Sequence, residues 1–438
     1  MTDELSISET DIPGLLQISL PVHGDGRGWF KENWQREKMV ALGLPDFHPV
    51  QNNMSLNESA GTTRGIHAEP WDKLVSVARG KIFGAWVDLR EGDSFGTVFT
   101  AEVDPSSAIF VPRGVANAFQ TLVDDTAYSY LVNGHWSPEA EYTFLNLADE
   151  TIAIDWPIAL DRAELSEKDR AHPRLAEVVP IKPRKTLILG ANGQLGRALV
   201  EHLPDAVAWD IQEFDMTDRD VYAKVNWRDF DTIINAAAYT AVDLAETEQG
   251  RRDAWRINAH AVVYLARTAL AHDLTLVHVS SDYVFDGTEE VHTTEELFAP
   301  LGVYGQSKAA GDAAASVVPK HYIARTSWVI GDGNNFMKTM QSLAEKGVNP
   351  SVVDDQIGLL TYTSDLADGI IDLLRSNAPY GTYNITSGGQ PRSWYEIARQ
   401  AFTDAGHDPD RVSPTSTEEY GAGQSMAPRP KFSTLKDD

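Results

Sequence analysis

The sequence predicts two folds in one chain: an all-β sandwich or barrel over residues 1–172, and a doubly wound α/β parallel sheet over 185–438. Three observations point there. Up to residue 160, short runs rich in Val, Ile, Phe and Tyr alternate with turn signals, among them Gly24-Asp-Gly26, Asn52-Asn53, Arg79-Gly80, Glu91-Gly-Asp93 and Asp124-Asp125. Many short strands at such spacing suit a sandwich or barrel. From Lys185 onward the pattern becomes strand–helix alternation, which builds a parallel sheet. Between the two, Pro173, Pro180 and Pro183 mark residues 173–184 as a linker.

A chain of 438 residues exceeds one ordinary domain, so two or three are expected. With no cysteine, disulfides, thiolate metal sites and cysteine nucleophiles are excluded. The acidic opening Met1-Thr-Asp-Glu-Leu5 lacks the apolar core of a signal peptide, and no run is long enough to span a membrane. A cytoplasmic protein is expected. The net charge of −27, spread over both halves, argues against a nucleic-acid partner. Any phosphate ligand must meet local Arg, Lys or backbone N–H groups against that field.

In the first half, elements are short. One helix is expected near Trp34–Leu42, and strands around Leu74–Val77 and Ala127–Val132. In the second half, Thr186–Leu189 is an apolar strand ending in Gly190, followed by Gly193 and Gly196 and a helical pattern from Arg197. Gly190 allows the tight turn, Gly193 lets a pyrophosphate approach the backbone, and Gly196 lets helix and strand pack closely. The helix N-terminus then offers free N–H groups to phosphate. Asp210, twenty residues after Gly190, closes a second apolar run and is suited to a ribose hydroxyl. Asp231–Ala238 and Leu274–Val279 are further buried strands. Ser281 follows the latter, at the strand end where ligands of such sheets bind. Tyr304 and Lys308, at i and i+4, share one helix face. A lysine ammonium and a nicotinamide charge beside the phenol would favour phenolate and proton transfer near neutrality.

These residues resemble the extended short-chain dehydrogenase/reductase family. More narrowly, Gly190-Ala-Asn-Gly-Gln-Leu-Gly196, Asn235–Asp243, Ser281–Gly287, Tyr304-Gly-Gln-Ser-Lys308, Arg325–Val329 and Arg429-Pro430 are similar to dTDP-4-dehydrorhamnose reductases. The resemblance implies a Rossmann-type sheet with a small substrate-binding subdomain, and hydride transfer from NADPH or NADH to C4 of a 4-keto-sugar nucleotide. It places Asn192, Gln194, Leu195, Ala236, Ala237 and Ala238 beside the glycines at the cofactor, with Asp215 approaching the adenine. Tyr304 would protonate the alkoxide and Ser281 hold the carbonyl oxygen. Lys308 would bind the nicotinamide ribose. Val242, Asp282, Tyr283, Trp328 and Arg429 would contact the sugar nucleotide. Leu360 stands where the family usually has proline. Ile211 after Asp210, rather than an arginine suited to a 2′-phosphate, leans toward NADH. No motif decides whether Mg²⁺ is needed.

The first half offers His67 in Arg64-Gly-Ile-His67, with Lys73, Tyr130 and Asp169. A 4-keto sugar has acidic C–H bonds at C3 and C5. Histidine suits removal of one proton, lysine the enolate oxygen, tyrosine return of a proton to the opposite face, and a carboxylate the imidazole. Asp25–Glu32, Val50–Asn53, Arg64–His67, Lys73–Val75, Val87–Arg90, Val111–Gly114, Ile154–Pro157 and Leu165–Asp169 resemble dTDP-4-dehydrorhamnose 3,5-epimerases, which are cupin-type jelly-roll barrels. That resemblance implies His67 as base, Asp169 as its partner, Lys73 as enolate stabiliser and Tyr130 as acid, with no cofactor. It puts Arg27, Glu32, Gln51, Asn53, Arg64, Asn117 and Trp136 at the nucleotide sugar, some of them donated across a homodimer.

Three departures stand out. Asn117 replaces the family's usual histidine, Trp136 its tyrosine, and His67-Ala-Glu69 its His-Tyr-Gln. With one imidazole at His67 and none at Asn117, no metal is expected in this half. Together the two resemblances imply consecutive steps on one dTDP-sugar. The alternative makes the first half a non-catalytic nucleotide-sugar-binding or dimerisation scaffold, which Asn117 and Trp136 favour.

Overall fold

The computed structural model describes residues 4–135, 140–333, 335–423 and 425–437. They form two compact units, Met1–Pro183 and Arg184–Asp438.

In the first unit the strands are β1 Ser6–Glu9, β2 Leu16–Ser19, β3 His23–Asp25, β4 Gly28–Phe30, β5 Gln51–Asn57, β6 Thr63–Ala68, β7 Lys73–Arg79, β8 Ile82–Asp88, β9 Val98–Val103, β10 Ser107–Val111, β11 Val115–Thr121, β12 Thr126–Val132 and β13 Thr143–Phe144. The helices are α1 Arg36–Ala41 and α2 Glu167–Arg170. Two antiparallel sheets, ordered β1-β2-β10-β7-β12-β5 and β13-β6-β11-β8-β9, form the unit, with β3 and β4 a separate hairpin. Alternation supplies the core between the sheets: Val75 and Val77 from β7 and Ile109 and Val111 from β10 meet Ile82 and Trp86 from β8 and Phe119 from β11. This is the jelly-roll arrangement the sequence led us to expect.

The expected linker behaves differently. Leu175, Val178 and Ile181 pack into the core cluster around Ile66 and Val87, and Ile181 bridges to Arg90. Residues 173–181 are therefore part of the first unit rather than a free tether. Three prolines mark the irregular backbone there, but the apolar residues between them bury themselves against the nearest sheet.

The second unit has a parallel sheet. Its strands are β14 Lys185–Leu189, β15 Val207–Trp209, β16 Phe230–Asn235, β17 Thr275–Val279 and β18 His321–Arg325. They stand in the order β15-β14-β16-β17-β18, with a further parallel strand, Gly381–Asn384, beyond β18. Chain order reverses between β14 and β16, the switch point where such sheets bind ligands. The helices are α3 Gln194–His202, α4 Arg219–Tyr222, α5 Glu248–Trp255, α6 Ala261–His272, α7 Val303–Ala315, α8 Phe336–Glu345, α9 Thr363–Arg375, α10 Trp394–Asp404 and α11 Thr417–Gly421. One face of the sheet is covered by a cluster including Val262, Leu265 and Ala269 of α6, the other by Leu195 and Leu199 of α3 and Leu366 and Ile370 of α9. A separate cluster joins Met340 and Ala344 of α8 to Ala398 and Phe402 of α10, the small subdomain. Among the described residues no helix is long and apolar enough to cross a membrane.

Two candidate active sites

In the first unit, β-register brings His67 of β6 directly opposite Asn117 of β11 and Phe144 of β13. Asp169 comes from α2. Ser166 caps that helix and its Oγ accepts the Asp169 N–H at 3.0 Å, which fixes the carboxylate. His67 Nε2 lies 3.0 Å from Asp169 Oδ1. Burial opposes the Asp169 charge, but hydrogen bonds from His67 and Ser166 outweigh it and hold the carboxyl below the usual range. The His67 side chain keeps 32% exposure, so it reaches both its buried partner and a ligand.

Lys73 opens β7 and is almost wholly buried. Its Nζ donates to Glu69 Oε2 and to Asn117 Oδ1, each at 2.6 Å, and lies 5.7 Å from the centre of the Tyr130 ring. Tyr130 of β12 faces Asn53 of β5 and Val75 of β7 in register. Burial and then the Glu69 charge push the Tyr130 phenol upward, against a hydrogen bond with Asn53 and the charge of Arg64, so Tyr130 is held as the phenol. Gln51 donates to Asn53 at 2.8 Å. Asn53, Arg64, Asn117 and Lys73 thus gather around Tyr130. Arg27 and Glu32 do not: Arg27 pairs with Asp25 on the exposed hairpin, and Glu32 with Lys38. Trp136 lies outside the described residues.

The fold adds a residue that sequence reasoning missed. Buried His172 sits 3.8 Å from Asp169 Oδ1, edge-on to His67 and stacked on Phe144. Burial, aided by the His67 charge, pulls its imidazole below the usual range. The expectation of no metal rested on His67 being the one imidazole there. His67, Asp169 and His172 in fact offer three ligand atoms within 4.8 Å of one another. That count therefore does not exclude a metal, although His67 and Asp169 already satisfy each other.

In the second unit a cavity of about 860 Å³ lies over the carboxyl ends of β14, β16 and β17. Gly190, Asn192, Gly193, Gln194, Leu195 and Asp210 line one end, Ala236–Ala238 and Val242 its side, and Ser281, Asp282, Tyr283, Tyr304, Lys308 and Trp328 the other end. Gly190 has φ +79, and a Cβ there would lie 2.7 Å from the Ala237 nitrogen. Glycine is required on both counts. Gly196 lines no part of the cavity; its role is packing. Asp210 accepts the Asn192 N–H at 2.8 Å. Asp215 does not line the cavity and accepts from Thr217. Arg429 also lies off the lining. It pairs with Asp243 at 2.8 Å, tying the last segment of the chain to the loop after β16.

On α7 Lys308 is buried and Tyr304 partly buried where it lines the cavity, with Ser281 hydrogen-bonded to Tyr304. The protein's own groups, without the nicotinamide charge, favour the phenol. Burial and the Asp282 charge push Tyr304 up to about 12, against the Ser281 hydrogen bond. Lys308 instead donates to the Val279 carbonyl at 2.6 Å, and burial brings its ammonium down to about 8. Desolvation penalises the phenolate more than its neighbours help it, so Tyr304 enters as the phenol, the form that can give a proton. Asn258 was also missed. A π-helical turn, Arg256–His260, places it to bond both backbone groups of Tyr239 and the Ser307 hydroxyl beside Lys308. Trp394 stacks on Trp328 at 3.9 Å, and both line the cavity.

A family model described as dTDP-4-dehydrorhamnose 3,5-epimerase matches residues 9–177, and one described as RmlD substrate binding domain matches 184–438. The chain belongs to both families, one in each half. The first half is similar to a protein RmlC homolog of Streptococcus pyogenes, at 51% identity over 40% of this chain and 91% of that protein. The second is similar to the dTDP-4-dehydrorhamnose reductase of Aggregatibacter actinomycetemcomitans, at 42% identity over 50% of this chain and 79% of that one. It is also similar to a crystal structure of dTDP-4-dehydrorhamnose reductase from Bacillus anthracis in complex with NADP. That structure has 38% identity and a TM-score of 0.54, covering 58% of this chain and 91% of that one.

Proposed function

We propose that this chain performs two consecutive steps of dTDP-L-rhamnose formation. The first unit epimerises dTDP-4-dehydro-6-deoxy-D-glucose at C3 and C5 to dTDP-4-dehydro-L-rhamnose, and the second reduces the C4 ketone to dTDP-L-rhamnose. One observation carries the reading: each unit separately gathers a proton-transfer set suited to the same 4-keto sugar. These are His67–Asp169 with Lys73 and Tyr130, and Ser281–Tyr304–Lys308 over a strand-end cavity.

In the epimerase site His67 removes the proton α to the ketone and Asp169 stabilises the resulting imidazolium. Lys73 faces the enolate oxygen, and Tyr130 returns a proton from the opposite face. In the reductase site the residues fit a nicotinamide dinucleotide. The close backbone approach at Gly190 and the bare Gly193 turn at the start of α3 leave room for a pyrophosphate that a Cβ would fill. Bound NADH or NADPH supplies hydride. Ser281 holds the ketone oxygen, Tyr304 protonates the alkoxide, and Lys308 adds positive charge to the same end.

A homodimer through the first unit is part of the proposal. Its support is the edge strand β5, with Met54 and Leu56 exposed, and the hairpin residues Trp29 and Phe30 beside the locally paired Arg27. Analytical ultracentrifugation of Met54→Lys/Leu56→Lys is expected to give monomer; an unchanged dimer would place the contact elsewhere.

The deciding assay supplies dTDP-4-dehydro-6-deoxy-D-glucose with NADH or NADPH and identifies the sugar formed. The wild type is expected to yield dTDP-L-rhamnose, with flux abolished separately by His67→Ala and Tyr304→Phe. If His67→Ala keeps full flux, the first unit is a scaffold.

A further inference from the structure

Two of the three departures from the epimerase family meet on one atom. Glu69, just after β6, and Asn117, within β11, both accept from Lys73 Nζ at 2.6 Å. The Glu69 carboxylate is itself clamped: Trp71 Nε1 donates to the same oxygen at 2.7 Å, and the ion pair joins a buried Lys73 to a Glu69 side chain that keeps only 13% exposure. Asn117 carries no charge at any pH, and its amide donates on to the Tyr128 hydroxyl at 3.3 Å. Among the described residues, Glu69 is thus the carboxylate in contact with this ammonium.

We propose that Glu69 is a positioning residue of the epimerase site, which keeps Lys73 in its ammonium form and, with Asn117, fixes its direction. The proposal rests on the epimerase reading above. An enolate oxygen draws electrostatic help from a cation, not from a neutral amine. A lysine this deeply buried loses its proton readily unless an anion compensates. Burial does draw Lys73 downward, and the charge and hydrogen bond of Glu69 oppose that shift. An ammonium has three N–H donors; Glu69 and Asn117 take two, which leaves one for a sugar oxygen. A glutamine at 69 would preserve the hydrogen bond and remove the compensating charge. The other titratable groups facing the pair are Tyr128 and Tyr130 of β12 and Tyr142. All three are held as phenols by burial, with the Glu69 charge adding to it, and Arg64 acts on Tyr130 from β6.

The test is Glu69→Gln in the full chain, with deuterium exchange at C3 and C5 of dTDP-4-dehydro-6-deoxy-D-glucose in D₂O, without nicotinamide, followed across pH. In parallel, the Lys73 amine is titrated by NMR of ¹⁵N-lysine-labelled protein without substrate, its signal assigned by Lys73→Arg. The expected result is that the alkaline fall in exchange, and the Lys73 titration with it, move to lower pH by about one to three units, while exchange on the acid side is retained. A profile parallel to the wild type, merely lower at every pH, with an unmoved Lys73 titration, would overturn the proposal. If the wild type exchanges no deuterium, the epimerase reading fails, and the NMR titration still decides what Glu69 does to Lys73.

Discussion

Gly193 and Gly196 belong to one motif, yet the structure gives them separable jobs. A Cβ on Gly196 would lie 2.1 Å from the Gly190 carbonyl oxygen and 2.7 Å from Ala191 Cα. Both are backbone atoms, so no side chain can swing aside, and the turn must move off α3. Overpacking of this kind costs about 3 kcal/mol at the upper end of the usual range. For a unit of this size that lowers the melting temperature by about 6–12 °C. A Cβ on Gly193 meets only the Gly190 oxygen, at 3.2 Å, and Gly193 has an ordinary φ of −68. Gly193→Ala is therefore expected to melt at or slightly above the wild-type temperature, since alanine restricts the unfolded chain by about 0.4–1 kcal/mol. Its defect appears only with dinucleotide, where the new methyl stands where the pyrophosphate must approach; affinity drops by about tenfold or more. Calorimetric melting with and without NADH, and isothermal titration of NADH, separate the two. Deuterium exchange by the first unit serves as control in the same polypeptide. Equal melting of the two variants, or unimpaired NADH binding by Gly193→Ala, would refute the division of roles.

Other outcomes follow from the same geometry. Asp169→Asn removes a charge-assisted bond to His67 worth about 1.5–3 kcal/mol, so epimerase exchange should drop about 10- to 100-fold while reduction of supplied dTDP-4-dehydro-L-rhamnose is unchanged; equal loss of both would point to misfolding. Lys308 titrates at about 8, so it is charged at neutral pH and neutral above. Reductase kcat/KM should fall as pH rises through 8, and a flat profile to pH 9.5 would remove Lys308 from the chemistry. Asp210 and Glu213 line a hollow next to Asn192, and Arg197 there is bound to the Asn192 and Asp332 carbonyls. A 2′-phosphate would meet two carboxylates, so kcat/KM should favour NADH by about tenfold, the worth of 1.4 kcal/mol, and Asp210→Asn/Glu213→Gln should erase that preference.

What could be read from the sequence was whatever chemistry is local in the chain. The glycine turn before α3, Tyr304 and Lys308 one helical turn apart, and Ser281 after an apolar strand are short-range patterns with a fixed geometric consequence. His172 was invisible because its role depends on α2 folding back against β6, and nothing in Ala171-His-Pro173 signals that. Asn258 was hidden for a different reason: it lies in a π-helical turn, Arg256–His260, which no local sequence signal announces, and there it bonds Tyr239 and Ser307. Residues 173–181 were misjudged because prolines announce irregular backbone but not exposure, and Leu175, Val178 and Ile181 had an apolar surface to cover. The desolvation that raises the Tyr304 phenol was not legible either, because a lysine four residues on is visible in sequence and the burial is not.

The two sites share a solution although their folds share nothing. Each sets a partly buried phenol, Tyr130 or Tyr304, near a lysine whose ammonium is destabilised by burial, Lys73 or Lys308. The common feature follows from the substrate, because both reactions build negative charge on the same C4 oxygen, as enolate in one and alkoxide in the other. Burial raises the phenol and so keeps its proton available until that charge develops; it lowers the ammonium and so sharpens the need for a compensating partner. The partners differ as the reactions do. Lys308 leans on a backbone carbonyl and titrates near 8, sufficient for a single proton delivery. Lys73 is paired with a clamped carboxylate, which suits a site that must carry an enolate through two successive inversions, at C3 and at C5, without losing its cation between them.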